Sequence, residues 1–164
     1  MKHKAIICDI DGCLLDVSKL YKEIFIRKLS RQKMWDYFHK NANNPEYVAK
    51  IEPVFNLVNM YDQEFYKIII LTARRDLIAK DTLHYLLEGD IKLNNISMYI
   101  FRQAQDEGVP SHIYKLAEIN KLKEQFDIEC IIDDEFQNCA HFKEAGFNVL
   151  RVLRNPIDGG INEC

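Results

Sequence analysis

No apolar run in this sequence approaches the roughly 20 residues that a membrane-spanning helix needs, and no membrane partner is expected. Neither a CxxC nor an HxxxH pair occurs, and the cysteine count of 5 is odd. A disulfide framework and a structural zinc site are therefore not indicated. An excess of one charge is missing too: Lys+Arg 22 against Asp+Glu 25 leaves a formal net charge of -3. No global field then recruits nucleic acid or an anionic membrane. Repeats and low-complexity stretches are absent. The opening "MKHKAIICDIDG" sets basic residues before an apolar run, but acids break that run before it reaches signal-peptide length. Cys8 and Cys130 fall in apolar runs, where a free thiol acts as a small hydrophobe. A reducing, cytoplasmic setting is the expectation.

What is there suffices for one domain: 164 residues, 48% hydrophobic and 29% charged. Short runs rich in Ile, Val and Tyr alternate with helical patterns. The runs 4–10 ("KAIICDI"), 67–72 ("KIIILT"), 97–101, 129–133 and 148–152 read as strands. They are continuous rather than alternating, which suits parallel strands covered on both faces. Helical patterns fill 51–65, 76–89, 111–126 and 135–146. Asp76 and Ser111 are the expected N-caps, and Gly89 and Gly146 the expected stops. The fold class is α/β: a doubly wound, Rossmann-like, five-stranded parallel sheet with helices on both faces.

Residues 17–50 do not fit this rhythm, because a βα connection takes only a few residues. Within them, 19–40 ("KLYKEIFIRKLSRQKMWDYFHK") reads as one basic and aromatic helix, and "NANNPEY" as a loop. The chain is expected to be a single domain over 1–164. Residues 17–50 form a small cap-like helical insertion at the sheet's carboxyl edge. The stretch 19–40 suits an amphipathic packing helix first and a nucleic-acid face second.

Two carboxylates end the first strand: Asp9 and Asp11, in "DIDG". Residues i and i+2 of a strand face one side, and Gly12 permits a sharp turn. The fourth strand ends in "IIDDE", which delivers Asp133 and Asp134 to the same edge. Ligands of open α/β sheets bind at that edge. Two charges about 4 Å apart cost roughly 4 kcal/mol at an effective dielectric near 20. Protons or a cation must relieve that, and hard oxygen ligands without His or Cys favour Mg2+. Thr72 ends the second strand with Arg74 just beyond, and Lys115 lies early in a helix. A hydroxyl, cations and a helix N-terminus all suit an oxyanion such as phosphate. One Asp is then placed to attack phosphorus, and a second to move the leaving group's proton.

The ordered set DxDG, strand-end Thr, Lys, strand-end DD resembles the haloacid dehalogenase (HAD) superfamily of phosphohydrolases. The motifs run from residue 9 to 134, and the strand pattern covers nearly the whole chain. The resemblance implies Asp9 as nucleophile and Asp11 as general acid/base with its carbonyl on the metal. It implies Thr72 and Lys115 as phosphate ligands, Asp133 as a metal ligand, and Asp134 beside it or acting through water. Lys121 and Lys123 share the helix of Lys115, which stands nearest its N-terminal end. Where the family usually has Thr or Val after DxDG, this chain has Cys13, a position that packs the turn. A narrower similarity is to the 3′-phosphatase half of bacteriophage-type polynucleotide kinases, where an Arg matches Arg74. The approach to the lysine, "GVPSHIYK", departs from that pattern, and no GxxxxGK[ST] loop occurs. The implied function is hydrolysis of a phosphomonoester, of a nucleotide or a nucleic-acid 3′ end. The alternatives are a receiver-type phospho-acceptor switch and a non-catalytic nucleic-acid-binding relative. Receiver domains place their acidic pair first, whereas here it comes last.

Overall fold

Alternation hidden inside continuous apolar runs decides the architecture. Along neighbouring strands, Ile6, Cys8, Ile68 and Ile70 enter one buried cluster, and Ala5, Ile7, Ile69 and Leu71 the other. Each run is apolar throughout because both of its faces are covered. The structure, a computed structural model, describes residues 2–153. Cys164 and the extreme ends of the expected 1–164 domain lie outside the described residues.

The five-stranded sheet has the order β5-β4-β1-β6-β7. It comprises β1 (His3–Cys8), β4 (Lys67–Arg75), β5 (Met98–Arg102), β6 (Phe126–Asp133) and β7 (Val149–Arg151). Every neighbouring pair is parallel. On one face lie α3 (Glu52–Gln63) and α4 (Ala79–Leu87), which bury Val54, Phe55, Val58 and Leu86. On the other lie α5 (Ser111–Leu122) and α6 (Phe136–Glu144), which bury Ile119, Leu122 and Phe142. The chain winds outward from β1 through β4 to β5, then returns to β6 on the opposite side. The carboxyl end of β1 is therefore the topological switch point, where such sheets bind ligands.

Three local expectations are corrected. The first strand ends at Cys8 rather than Ile10. Asp9 still donates its N–H to Ile132 O (2.9 Å), but the chain then turns, with Gly12 at φ 78°. Asp11 therefore reaches the crevice through a turn and not through strand alternation. The helix expected over 19–40 is two helices, α1 (Ser18–Arg27) and α2 (Arg31–Asn41). The break is at Lys28, which is left-handed at φ 50°. A straight helix over that stretch would be about 33 Å long; folding it back lets Tyr21 stack on Phe38 at 5.6 Å. Finally, Asp76 and Ser111 are not N-caps: Asp76 opens the 3-10 turn Asp76–Ile78 after Arg75, α4 follows Ile78, and Ser111 is the first residue of α5 after Pro110. No side-chain cap hydrogen bond forms at any of these starts. Gly89 and Gly146 take positive φ as expected of stops.

The segment 17–50 is clasped at its base. β2 (Leu15–Asp16) pairs antiparallel with β3 (Ala49–Lys50), and Ile51 N–H bonds Leu14 O at 2.8 Å. Its two helices pack Leu20, Ile24 and Phe38 into the same cluster as α3 and α4.

Candidate active site

Lys115 is the centre of the site. It is 2% exposed, and its Nζ lies 2.7 Å from both Asp9 Oδ2 and Asp133 Oδ2. Three strand ends or helix starts converge to make this contact: Asp9 follows β1, Asp133 ends β6, and Lys115 sits in the second turn of α5. Neither Lys121 nor Lys123 does so; Lys121 is exposed on the helix and pairs with Glu118. Burial alone would lower the Lys115 ammonium, but the Asp9 and Asp133 carboxylates outweigh it and raise its pKa.

The anions exceed that one cation. Asp9, Asp133 and Asp134 are all buried, and each offers one oxygen within 4.8 Å of the others. Burial pushes the Asp9 carboxyl up to about 7, Lys115 pulls it back, and Asp133, Asp134 and Asp11 add to the rise. Asp9 Oδ1 is buried with no hydrogen-bond partner among the described residues. A buried lone pair without a donor is costly. An all-oxygen donor set around it fits a hard divalent cation. Asp133 is oriented from outside by Glu135 N–H (3.0 Å) and by Asn138 Nδ2 (3.0 and 3.2 Å).

Asp11 stands apart from that group. The Arg74 Nε and Nη2 donate to its carboxylate, closing the fork at 3.0 Å and 2.7 Å. Arg74 Nη1 donates to Asn43 Oδ1 (2.8 Å) and Thr82 Oγ1 (3.1 Å), and Nη2 also donates to Ala42 O (3.0 Å). A guanidinium carries five N–H groups, and here each has a protein acceptor. Arg74, expected to hold phosphate, here holds Asp11 and ties it to the end of α2. Thr72 is buried, accepts the Arg74 backbone N–H on Oγ1 (3.1 Å), and lines the same cavity as Asp9, Asp11 and Lys115.

The cavity has an aromatic side. Tyr21, Trp35, Phe38 and His39 line it from the two insertion helices. Phe38 is buried against Tyr21 and under the Arg74 guanidinium (5.9 Å), while Trp35 remains 40% exposed. Burial, then Arg75 and Arg74, lower the His39 imidazole, which favours its neutral ring. The basic residues Lys19, Lys22, Arg27, Lys28, Arg31 and Lys33 are exposed. The stretch 19–40 thus packs through some of its aromatics and offers others to the crevice. Asn43, Thr82, Asn138 and Arg102 were not singled out from sequence. Asn43 meets Arg74 only through the fold, while Asn138, Thr82 and Arg102 have partners 5 to 8 residues away at spacings that fit no motif.

A parallel sheet whose switch point carries a lysine between buried carboxylates, with an acid held beside them, is an α/β fold with its candidate site where such sheets bind ligands. Residues 1–157 match the family described as HAD superfamily, subfamily IIIB (acid phosphatase), and the chain belongs to that family. No curated protein matches it. Among solved structures it resembles a chain of the Pnkp1/Rnl/Hen1 RNA repair complex, with TM-score 0.71 and 20% identity, covering 94% of this chain and 44% of that one. This chain thus spans less than half of that relative's length. The class C acid phosphatase from Bacillus anthracis with tungstate bound is similar at TM-score 0.69 and 14% identity, over 96% of this chain and 68% of that one. A magnesium complex of a HAD family enzyme from Bacteroides thetaiotaomicron is similar at TM-score 0.58 and 14% identity, over 92% and 93%. At these identities the likeness is one of fold.

Proposed function

We propose that the protein is a Mg2+-dependent phosphomonoesterase with Asp9 as nucleophile and Asp11 as general acid/base. The observation that carries this is the split state of Asp9: Oδ2 is fixed by Lys115, while Oδ1 is buried and unpartnered. An oxygen in that state is held ready for an electrophile. Asp9, Asp133 and Asp134 would hold the metal through side-chain oxygens, and Asp11 through its carbonyl. Bound there, Mg2+ supplies charge neutralisation, which lets a carboxylate approach an anionic phosphate.

In the first step an Asp9 oxygen bonds to phosphorus as the ester P–O bond breaks. The leaving oxygen takes the proton of Asp11. In the second step water attacks phosphorus, Asp11 accepts its proton, and inorganic phosphate leaves a restored Asp9. Lys115 and the Thr72 hydroxyl steady the phosphoryl oxygens as charge redistributes. Arg74 acts by positioning: its fork keeps Asp11 at the mouth of the cavity. The order of motifs, with the acidic pair last, sets this reading above a receiver-type switch.

The substrate is a nucleotide or a nucleic-acid 3′ end. Trp35, stacked near His39 at 6.1 Å and exposed at the cavity, offers a face for a base. The likeness to a chain of an RNA repair complex supports the nucleic-acid end. A phosphate-release screen with Mg2+ tests the reading, using nucleoside 3′- and 5′-monophosphates, 3′-phosphorylated oligonucleotides and sugar phosphates. Nucleotides or 3′ ends should turn over fastest, with no turnover by Asp9→Asn. Failure of the parent protein to release phosphate from any of them would overturn it.

A further inference from the structure

Arg102 closes β5 and lines the same cavity as Asp9, Thr72 and Lys115. The phosphoryl group and its neighbours account for those three, and nothing in the two chemical steps needs Arg102. Its guanidinium is nevertheless held in a fixed plane. It lies 4.8 Å from the Tyr114 ring centroid, and Nη1 donates to Val109 O at 3.0 Å. The remaining edge, Nε and Nη2, is buried and has no hydrogen-bond partner among the described residues. Asp106, Glu107 and Glu135 act on it through space, weakly against the burial that lowers its pKa. None of them hydrogen-bonds that edge.

Arg74 shows what this edge takes. The same two nitrogens, Nε and Nη2, grip the two oxygens of Asp11. A guanidinium edge is shaped for two oxygens of one oxyanion. Charge argues the same way. Arg102 stands in register with Arg75 on β4, and adjacent like charges repel. Arg75 has Glu107 at 3.3 Å, whereas Arg102 has no ion-pair partner among the described residues. An anion delivered through the cavity would satisfy the bare edge and relieve the pair.

We propose that Arg102 binds a second phosphate on the substrate, so that the preferred substrates carry another phosphate besides the scissile monoester. This rests on the phosphatase reading and names its substrate class. The second phosphate comes either from an internucleotide diester or from the other end of a nucleoside bisphosphate.

The test measures binding and turnover separately. Dissociation constants for adenosine 3′-monophosphate, adenosine 3′,5′-bisphosphate and a 3′-phosphorylated dinucleotide are taken with the Asp9→Asn protein in Mg2+. At least one two-phosphate ligand should bind about 10-fold tighter than the monophosphate, in line with one added bidentate charge-assisted contact. A preference for the dinucleotide alone identifies the diester as the source; a preference shared with the bisphosphate identifies any second phosphate. Adding Arg102→Gln should bring the ratio close to one, and Arg102→Lys should leave only a salt-sensitive remainder. Equal affinity for all three ligands overturns the proposal without any Arg102 variant, as does a preference that survives Arg102→Gln. Turnover by the parent protein reports on the phosphatase reading alone.

Discussion

At the residue scale, Asp9 is held against its surroundings. Its carboxyl lies at about 7 where the ordinary value is 3.8, chiefly through burial. A folded-state pKa above the unfolded one means that the group's contribution favours folding while protonated. That contribution is complete below about pH 4 and is lost as pH rises through about 7. Asparagine mimics the neutral acid, so Asp9→Asn should stabilise the metal-free protein at about pH 8. The gain should shrink at about pH 5. Thermal melts in chelator at the two pH values check this, with an expected rise of a few degrees at the higher pH; an equal shift at both would show that the Asp9 charge is not the cause. The same variant should lose turnover, which would mark Asp9 as a site where stability is given up for reactivity. Arg74 works through another residue. Arg74→Lys breaks the fork on Asp11, so kcat on an alkyl phosphate should fall about 100-fold. An aryl phosphate with a good leaving group should lose much less. Equal losses on both would mean that Arg74 does not act through the acid.

At the element scale, the insertion is wired to the acid. Arg74 reaches Ala42 O and Asn43 Oδ1 at the end of α2, and the β2–β3 clasp fixes where that end sits. Sequence periodicity marked this stretch as helical but not its break, because Lys28 turns the chain without glycine or proline. A lysine in the left-handed region is strained by about 1 kcal/mol. Lys28→Gly should therefore raise stability by roughly that amount, measured by denaturant unfolding; destabilisation would show that the Lys28 side chain matters more than its backbone. Trp35 is the aromatic that the packing leaves partly open. Trp35→Ala should raise KM for a nucleoside monophosphate about 10-fold more than for a sugar phosphate, within the range of one base-stacking contact. Equal changes for both would move the base elsewhere.

At the scale of the whole molecule, the sheet was legible because its strands announce themselves by burial on both faces. The carboxylates were legible because strand ends in such a sheet share one edge. Asn138 on Asp133, and Asn43 and Thr82 on Arg74, were not legible, since amide and hydroxyl partners carry no period, and Asn43 meets Arg74 only through the fold. For Arg74 the sequence shows the position and not the acceptors, so its grip on Asp11 was not legible either. The charge balance that results is a property of the entire edge. Asp9 and Asp133 share one internal cation, Lys115, and with Asp134 would share a second, Mg2+, when it binds. Two cations serving one anionic cluster compensate for each other. Lys115→Met should therefore destabilise the metal-free protein by about 3–5 kcal/mol, the usual result of stripping one partner from a buried ion pair. Mg2+ should stabilise the parent protein by about 2.7 kcal/mol when its concentration is 100-fold above Kd. It should stabilise the Lys115→Met protein by more, because Asp9 and Asp133 then lack the lysine cation that they share in the parent. Thermal melts of both proteins across a Mg2+ titration decide the matter. An equal Mg2+ shift in the two proteins would show that lysine and metal answer to different carboxylates, and no shift in either would remove the metal from this cluster.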